Sequence, residues 1–449
     1  MEIHGEKIEL EEILFARERR VATQSKLIES HQLPLISFTL NIVGEIKVFP
    51  LTIKTYEKGK ALISNYCKIF GLSVVALEEI TEKTGYEAFF VVDAPPLSIK
   101  KMVCEIEMSE LLGRIFDLDI IQVSGEKISR TALKLPPRTC LLCEQEAFLC
   151  ARSRAHPIQE VLEKEIDIMS RYFNEEYAKN LGRMAGKALL FEVNTTPKPG
   201  LVDRSNTGSH SDMNLQTFED SALSLIPFFE DFVRCGIENV NNSPRNIFFQ
   251  AKKLGIKAEN AMFSATKGVN THKGVIFSMG LFCTTLGVLY ARNIPYHPEI
   301  FLQLCGEILQ PFQETCQELS QPKTKGGKSF LAQESGGIRK EALEGYPSIF
   351  SCGLPVYSLN MKQGFSQNDA GVLTLLHILA HTEDSNIVAR SNRETYEKIT
   401  QKVRHFLASD QGDFMEFATE LDREFIEKNI SAGGSADLLA LTYFLYLLE

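Results

Sequence analysis

This chain of 449 residues has no excess of positive charge: its formal net charge is −10 and its isoelectric point is about 5.6. Since a general nucleic-acid-binding protein needs a basic surface to neutralise phosphates, that class is disfavoured. The start of the chain also lacks the apolar segment of a secretory signal. Together with ten cysteines at uneven spacing, this absence favours a cytoplasmic protein with reduced thiols.

No apolar run has the length and purity of a membrane span. The longest, VIFSMGLFCTTLGVLY from Val275, contains polar residues and predicts a buried core helix. We therefore expect no membrane partner and no nucleic-acid partner. In so acidic a chain, any anionic ligand must be bound by local clusters of basic residues.

The chain has two parts of different character. Up to about Lys164, short β-branched and aromatic runs such as PLISFTLNIVG, YEAFFVVDAPP and GRIFDLDIIQV alternate with helical segments. From about Glu165 onward the apolar residues follow helical periodicity, and convincing strands disappear. The sequence therefore predicts a multidomain protein, with an N-terminal α/β (α+β) domain over residues 1–165 and an all-α domain over residues 166–449.

The motif FDLD in the first part contains two carboxylates, those of Asp117 and Asp119. On a strand, residues at i and i+2 point to one face, so both carboxylates would lie together while Phe116, Leu118 and Ile120 face the core. Two carboxylates so placed can hold Mg²⁺ against a triphosphate, as nucleotidyl transfer requires. The alternative is the solvated face of an edge strand, which a lone D-x-D motif fits better.

The region that follows this motif is rich in basic residues and in cysteine. Six basic residues and only two acidic ones lie between Lys127 and Arg154, a density that suits phosphate oxygens. The segment CLLCEQEAFLCARSRAH begins with a C-x-x-C pair that has zinc-knuckle spacing. Two interpretations remain open: a Cys₃His zinc site, or four side chains that only pack in the protein. The four candidate ligands are Cys140, Cys143, Cys150 and His156.

Four segments in order, LNIVGEIKVFP, GRIFDLDI, ISRTALKLPPRTCLLC and CARSRAH, resemble the holo-acyl-carrier-protein synthase of citrate lyase over about residues 10–162. This family attaches a phosphoribosyl-dephospho-CoA group. The resemblance implies that a serine hydroxyl of the acyl carrier (gamma) subunit attacks the phosphate next to the ribose and expels pyrophosphate. It implies that Asp117 and Asp119 hold Mg²⁺. The residues that would steady the triphosphate are Lys47 and Arg114, with Arg130 and Arg138 as further candidates or as solvated surface residues.

Polar loops containing glycine separate the predicted helices of the second part. They include TPKPGLVDRSNTGSHSDM from Thr196, KGVNTHKG from Lys267, the long segment from Thr324, HTEDSNIVAR from His381 and NISAGGSADLLAL from Asn429. Such loops beside helix ends can offer backbone N–H groups and side chains to phosphates and metal ions. Taken singly, each is better explained as a set of caps and turns.

Taken in order, TPKPGLVDRSNTGSHSDM, GVNTHKG, EALEGYP and NISAGGSADLLAL resemble the triphosphoribosyl-dephospho-CoA synthase of the citrate lyase system, over about residues 168–448. The resemblance implies that a hydroxyl of 3'-dephospho-CoA displaces adenine from the ribose of ATP, while the triphosphate is kept. Breaking the ribosyl–adenine bond develops positive charge at the anomeric carbon. The reaction therefore needs a carboxylate, a proton donor for adenine and a base for the hydroxyl.

On that chemistry the polar residues of the second part divide into candidate groups. The metal or ribose candidates are Asp203, Asp212, Asp384 and Asp437, of which Asp384 and Asp437 are predicted to bind Mg²⁺. The phosphate candidates are Lys198, Arg204, Lys273 and Arg339. The proton-transfer candidates are His210 and His272, with Glu341 as a base or an ion-pair partner. Further nucleotide contacts are expected from Asn206, Asn270, Asn386, Gly433, Gly434 and Gly200. Gly200 and Gly208 would let the backbone approach a phosphate.

The sequence thus predicts a bifunctional transferase that assembles the citrate lyase prosthetic group from ATP and 3'-dephospho-CoA and attaches it to the carrier. Two alternatives stay open: the same chemistry for a malonate decarboxylase carrier, and one half that has lost catalysis and docks the carrier. The chain departs from the synthase pattern at Ser391 and Asn392, where two glycines are expected. Asn tolerates the left-handed conformation, but the change makes the synthase half the candidate for lost catalysis.

Overall fold

The computed structural model describes residues 4–319, 337–409 and 412–449, so most of the predicted loop from Thr324 lies outside the described residues. The chain divides into two compact units, Met1–Asn174 and Glu175–Glu449. The division falls inside one continuous helix, Ile158–Asn194, and so does the predicted boundary at residues 165–166. The coarse prediction is confirmed, since the protein has more than one unit, is mostly helical and has a small antiparallel sheet near its N-terminus.

The first unit is built on a four-stranded antiparallel sheet with the strand order β2-β3-β1-β4. Its strands are β1 (Leu35–Leu40), β2 (Ser73–Glu82), β3 (Gly85–Asp93) and β4 (Phe116–Ile121). Its helices are α1 (Leu10–His31), α2 (Pro50–Ile69), α3 (Pro96–Ser109), α4 (Ala147–Ser153) and the start of α5 (Ile158–Asn194), with short 3₁₀ turns at Leu111–Arg114 and Arg130–Leu133.

Strand β4 has the alternation that the FDLD motif predicts. Phe116, Leu118 and Ile120 are buried in the core beneath the sheet, while Asp117 and Asp119 point to the opposite face. In register they lie beside Thr39 and Ser37 of β1. Strand β2 is not among the strands expected from the sequence, because it is an edge strand whose mostly exposed residues give a weak apolar signal.

The described part of the second unit is helical and contains no strand. After the end of α5 come α6 (Leu215–Glu238), α7 (Pro244–Ala265), α8 (Lys273–Ala291), α9 (Pro298–Leu319), α10 (Ile338–Leu343), α11 (Leu354–Lys362), α12 (Gln367–His381), α13 (Ser385–Arg390), α14 (Arg393–Ala408), α15 (Phe414–Glu427) and α16 (Gly433–Tyr446). By length and composition α8 is apolar enough to cross a membrane, but 78% of its most apolar window is buried inside the protein. The prediction of a buried core helix from Val275 is therefore confirmed.

Helices α6 and α8 cross backbone against backbone at two glycines. A Cβ atom added at Gly236 would lie 2.1 Å from the carbonyl oxygen of Thr284, and one at Gly287 would lie 2.2 Å from that of Val233. Neither carbonyl can move without shifting its helix. At the opposite ends of the two helices, Ser221 Oγ of α6 lies 2.7 Å from Nδ1 of His272, the N-cap residue of α8, beside the site described below.

We expect Gly236→Ala to destabilise the protein by about 1–3 kcal/mol, because overpacking at the crossing outweighs the gain in helix propensity. Gly306→Ala is the matched control, since a Cβ atom at this position of α9 would meet nothing within 4 Å. The control should gain up to about 1 kcal/mol. Thermal unfolding followed by circular dichroism measures both. Equal stability of the two variants would refute the constraint at the crossing.

Candidate active sites

A cavity of about 240 Å³ in the first unit lies beside the FDLD motif and is called the first-unit cavity below. Asp117 lines it together with three basic residues, Arg17 and Arg20 from α1 and Lys47 from the segment before α2. Arg20 donates through Nε and Nη2 to the buried carboxylate of Glu87, at 3.1 and 2.9 Å. The remaining guanidinium nitrogen of Arg20, Nη1, can therefore donate to a ligand.

The charges around this cavity are only partly balanced by the protein. Burial lowers the pKa of Lys47; Glu165 opposes the shift and Arg17 adds to it. Loss of water, followed by repulsion from Asp119, raises the pKa of Asp117. A cavity with crowded cations on one side and crowded carboxylates on the other suits a metal-bound polyphosphate.

Asp119 itself does not line the first-unit cavity. Its Oδ2 lies 2.5 Å from Nζ of Lys127, and its side chain remains on the same strand face as Asp117. The chemistry of the donor set fits Mg²⁺, which prefers carboxylate oxygens and retains water ligands.

Lys47 Nζ is in close contact with the carbonyl oxygen of Ile42, and the other basic residues predicted for the triphosphate also have protein partners. Arg114 Nη2 donates to the carbonyl oxygen of Thr139 at 2.5 Å, and Arg138 donates to those of Phe116 and Gly113 at 2.9 and 2.7 Å. Arg130 forms a close ion pair with the buried carboxylate of Glu107. Arg114 and Arg138 join the segment after β4 to the turn before that strand and to its first residue, and Arg130 joins the segment to α3. None of the three lines the first-unit cavity.

The cysteine and histidine side chains singled out by sequence lie together in the first unit. Every pair of their candidate ligand atoms lies within 4.8 Å, and three of the four residues are half-buried rather than in the core. The cluster comprises Cys140, Cys143, Cys150 and His156. It is the one group of three or more possible metal ligands found among the described residues.

In the second unit, the loop between α5 and α6 is fixed by two aspartates. Asp422 of α15 accepts hydrogen bonds from Gly200 N and Asn206 Nδ2, both at 2.8 Å. Asp203 accepts from the backbone N–H groups of Lys198, Ser205 and Asn206 at 2.9, 2.6 and 3.1 Å. The loop is therefore ordered by carboxylates that the protein itself satisfies.

This loop forms one wall of a cleft of about 580 Å³, called the second-unit cleft below. The N-termini of two helices, α8 and α16, open into it, and the first amides of a helix have no partner within the helix. Ten of the residues predicted from sequence line the cleft: Lys198, His210, Asn270, His272, Lys273, Arg339, Asn386, Gly433, Gly434 and Asp437.

A buried ion pair lies at the base of the loop. Nζ of Lys198 is in close contact with Oε1 of Glu192, and the side chains are only 1% and 5% exposed. Burial raises the pKa of Glu192, with Lys198 opposing the shift and Asp203 adding to it. Lys198 is thus held by a carboxylate that also lines the second-unit cleft.

His272 is the N-cap residue of α8 and is buried. Thr271 Oγ1 donates to Ser221 Oγ, which lies 2.7 Å from His272 Nδ1; when Ser221 donates to Nδ1, the ring proton is on Nε2. Nε2 is buried without a hydrogen-bond partner in the described part of the protein. Burial, followed by the charge of Lys198, lowers the pKa of His272 to about 3, so the ring is neutral at pH 7.

His210 lies at the other side of the loop. Arg390 Nη2 lies 3.3 Å from its Nδ1, and its Nε2 lies 2.9 Å from Ser431 Oγ. An arginine can only donate, so Nδ1 is the acceptor and Nε2 carries the proton. Burial, followed by repulsion from Arg390, lowers the pKa of His210, while Asp212 opposes the shift.

The two aspartates predicted to bind metal in this unit differ in environment. Asp384 accepts three hydrogen bonds, from Asn386 N at 2.9 Å and from the N and Oγ of Ser435 at 2.7 and 2.9 Å. Asp437 lines the second-unit cleft, and burial, with repulsion from Glu192 and Asp384, raises its pKa well above the ordinary value. Its side chain requires Gly274 of α8, where a Cβ atom would lie 2.0 Å from Oδ2.

Seven predicted residues of the second part do not line the cleft: Asp203, Asp212, Arg204, Gly200, Asn206, Asp384 and Glu341. The carboxylate of Glu341 accepts from N and Oγ of Ser348 at 3.2 and 2.6 Å, beside a separate cavity that His377 and His381 also line. Gly200 adopts φ +67°, but a Cβ atom there would lie 2.2 Å from Ile430 O. Packing against the protein, not against a phosphate, accounts for this glycine.

Sequence reasoning missed several residues that the structure places at the sites. Arg17 and Arg20 belong to an opening helix whose charged residues resemble a solvated face. Glu192 lies in the last turn of α5, while Arg390 and Ser431 lie inside the segments HTEDSNIVAR and NISAGGSADLLAL but are not among the predicted site residues. Asp422 is one acidic residue in the amphipathic helix α15, so only its contact with the distant loop identifies it.

Comparison with known proteins gives each unit a separate match. The family model CitX, described as apo-citrate lyase phosphoribosyl-dephospho-CoA transferase, matches residues 8–172. The model CitG, described as ATP:dephospho-CoA triphosphoribosyl transferase, matches residues 178–449. Both resemblances inferred from the sequence are therefore confirmed, in the order predicted.

Relatives with both parts align along the whole chain. Protein CitXG from Haemophilus influenzae is 36% identical over 98% of this chain and 96% of its own length. Protein CitXG from Leuconostoc mesenteroides subsp. cremoris is 31% identical over 98% and 97%. A probable 2-(5''-triphosphoribosyl)-3'-dephosphocoenzyme-A synthase from Streptococcus mutans is 37% identical over 61% of this chain and 98% of its own length.

The two family models match consecutive parts of the chain, and the relatives named CitXG align with both parts. The two parts therefore occur together in one polypeptide in these relatives as well. The chain belongs to the CitXG family of bifunctional transferases, which join the two enzymes of citrate lyase prosthetic-group assembly in one polypeptide.

Proposed function

We propose that the second-unit cleft binds ATP and 3'-dephospho-CoA and forms 2'-(5''-triphosphoribosyl)-3'-dephospho-CoA with release of adenine. The observation that carries this assignment is the meeting of Asp437, a carboxyl group with a raised pKa, and the N-termini of α8 and α16 in one cleft. Helix N-termini favour phosphate, and the cations that line the same cleft are Lys198, Lys273, Arg339 and Arg390.

The roles in this step follow from protonation states. The 2'-hydroxyl of dephospho-CoA forms a bond to C1' of the ATP ribose as the bond from C1' to adenine N9 breaks. Asp437 gives its proton to the departing adenine, as suits a buried carboxyl group whose raised pKa favours the protonated form. Glu192 lies close enough to influence Asp437 and supplies negative charge beside the ribose. The proton of the attacking hydroxyl is released to solvent.

The two histidines of the cleft bind rather than transfer protons in this scheme. His272 is neutral, so its Nε2–H donates a hydrogen bond to an oxygen of the triphosphate or ribose. His210, tied to Arg390 and Ser431, closes the loop over the bound nucleotide. We assign Asp437 an acid role in place of the metal role predicted from sequence, and we assign Asp384 the structural role that its three hydrogen bonds support.

We predict that Asp437→Asn lowers the rate of adenine release from ATP and dephospho-CoA by about 100-fold or more, because the isosteric amide cannot protonate the leaving base. In the wild type, the rate should fall as pH rises through the raised pKa of Asp437, because only the protonated carboxyl group is the acid. The residual rate of the variant should lack this fall. Chromatography of free adenine over a series of pH values measures both effects.

The matched control is Asp220→Asn, an exposed aspartate of α6 in the same unit. It should release adenine at the wild-type rate. Asp437→Asn should also still transfer supplied triphosphoribosyl-dephospho-CoA to the carrier, since that step belongs to the first unit, and a circular dichroism spectrum like that of the wild type shows that the helical second unit is folded. Full adenine release by Asp437→Asn would contradict the acid role.

For the first unit we propose transfer of the phosphoribosyl-dephospho-CoA group to a serine of the citrate lyase acyl carrier (gamma) subunit. The serine oxygen bonds to the phosphate next to the ribose as the bond to pyrophosphate breaks, and the serine proton is released. Arg17, Arg20 and Lys47 bind the outer phosphates in the first-unit cavity. Asp117 and Asp119 would hold Mg²⁺, which supplies charge neutralisation at the transferred phosphate.

Lys47 takes the role predicted from sequence, whereas Arg114, Arg130 and Arg138 act through the segment after β4 that they fix. The carrier is the protein partner, and its serine must reach the open side of the first-unit cavity. We assign no step to zinc, because its four candidate ligands lie outside this cavity.

We predict that Asp117→Asn lowers labelling of the carrier by about 100-fold or more while adenine release continues, because the pair of carboxylates that meets the cation is broken. Labelling is measured by the mass increase of the carrier after incubation with supplied triphosphoribosyl-dephospho-CoA and Mg²⁺. The control is Asp93→Asn, an exposed aspartate at the end of β3, which should label normally. Unchanged labelling by Asp117→Asn would disprove the metal role.

A further inference from the structure

The cysteine–histidine cluster has the dimensions of a tetrahedral zinc site. The sulfurs of Cys143 and Cys150 are 3.5 Å apart, and His156 Nε2 lies 3.3 Å from Cys143 Sγ. Around a zinc ion with bonds of about 2.3 Å to sulfur and about 2.0–2.1 Å to nitrogen, the corresponding separations are about 3.8 and 3.6 Å. Small outward shifts of these side chains would therefore admit the ion.

The backbone around the cluster is built like a metal knuckle. Leu142 N donates to Cys140 Sγ at 3.5 Å, and Cys140 N donates to Gln145 O at 2.7 Å. A backbone amide directed at a sulfur stabilises a thiolate, which is the form that binds metal. After Cys150 on α4, the chain turns at Arg154, which has φ +51°, and returns His156 to the same point.

A disulfide and simple core packing both fit the cluster less well than a metal site. A disulfide between Cys143 and Cys150 would require a sulfur separation of about 2.05 Å and would leave one thiol and the imidazole unused. Core packing is typical of Cys283 and Cys305, which are fully buried, whereas three members of the cluster are half-buried. Four convergent donors near the surface are expected for a metal site.

We propose that Cys140, Cys143, Cys150 and His156 bind one zinc ion in a closed, structural Cys₃His site. Four protein ligands fill the tetrahedron and leave no position for substrate. The ion would join the knuckle at residues 140–143 to α4 and to the start of α5. This site lies outside both candidate active sites and does not depend on their assignments.

The knuckle is also attached to the strand that contains the FDLD motif. Arg114 donates to the carbonyl oxygens of Thr139 and Cys140, and Arg138 donates to those of Gly113 and Phe116. Loss of zinc would free the segment on which both sets of bonds depend. We therefore expect zinc to position the metal carboxylates of the first unit while the second unit remains unaffected.

The test begins with the metal content of the full-length chain, expressed without a histidine tag and purified in a thiol reductant. Mass spectrometry of the metal should find about one zinc per chain. After removal of metal under reducing conditions, added Co²⁺ should give the intense visible bands and thiolate charge-transfer absorption of a tetrahedral site. Zinc below about one tenth of an equivalent, together with no cobalt spectrum, would overturn the proposal.

Variants locate the ion. Cys143→Ser should lose at least about nine tenths of the zinc, while Cys316→Ser, a half-buried cysteine outside the cluster, should keep it. Zinc retained in full by Cys143→Ser would place the ion elsewhere and refute the site. If Cys143→Ser does not fold, the cobalt spectrum of the wild type still decides, because it reports the thiolate ligands directly.

Activity separates a structural site from an incidental one. Zinc removal should lower carrier labelling by at least about tenfold and leave adenine release unchanged, and zinc restored at one equivalent should recover the labelling. Zinc bound at the cluster without any change in labelling would retain the site but overturn its positioning role.

Discussion

The hydrogen bonds that fix the loop between α5 and α6 are the constraint on which the geometry of the second-unit cleft depends. A polar loop of this length has many conformations, and ordering it carries a conformational entropy cost. Asp422 bonds Gly200 and Asn206 from a helix more than 200 residues away, with separations of 222 and 216 positions. Asp203 closes the turn within the loop. Because these carboxylates hold the backbone, Lys198 and His210 are kept at the wall of the cleft.

The two units also differ in the charged groups that surround their cavities. In the second unit, Asp437 lines the cleft into which two helix N-termini open, and burial with repulsion from Glu192 and Asp384 raises its pKa. In the first unit, cations are gathered opposite Asp117, and burial together with Arg17 weakens the hold of Lys47 on its proton. Both arrangements suit a triphosphate. The arrangement in the second unit suits the proposed cleavage of a bond at carbon, which needs an acid. The arrangement in the first unit suits the proposed cleavage of a bond at phosphorus, which needs charge neutralisation.

Much of this could be predicted from local pattern, and the remainder could not. The alternation of FDLD determines the orientation of Asp117 and Asp119, because a strand has period two. The glycine-rich loops locate the cleft, because helix ends need such residues. Asp384 is predicted from sequence to bind metal and Glu341 to be a base or an ion-pair partner, but Ser435, 51 residues away, and Ser348, seven residues away, donate to their oxygens. Arg17 and Asp422 carry no local signal, since only long-range packing distinguishes them from surface charge.

The replaced glycines at Ser391 and Asn392 can now be interpreted in physical terms. Ser391 has φ −136° and Asn392 has φ −164°, so neither occupies the left-handed region that would require glycine. Asn392 is the N-cap residue of α14 and accepts from Thr395 N at 2.9 Å, a role that asparagine fills better than glycine. Neither Ser391 nor Asn392 lines the second-unit cleft, whereas Asn386 and Arg390 do. The substitutions therefore improve a helix start outside the cleft and give no reason to assign lost catalysis to the second unit.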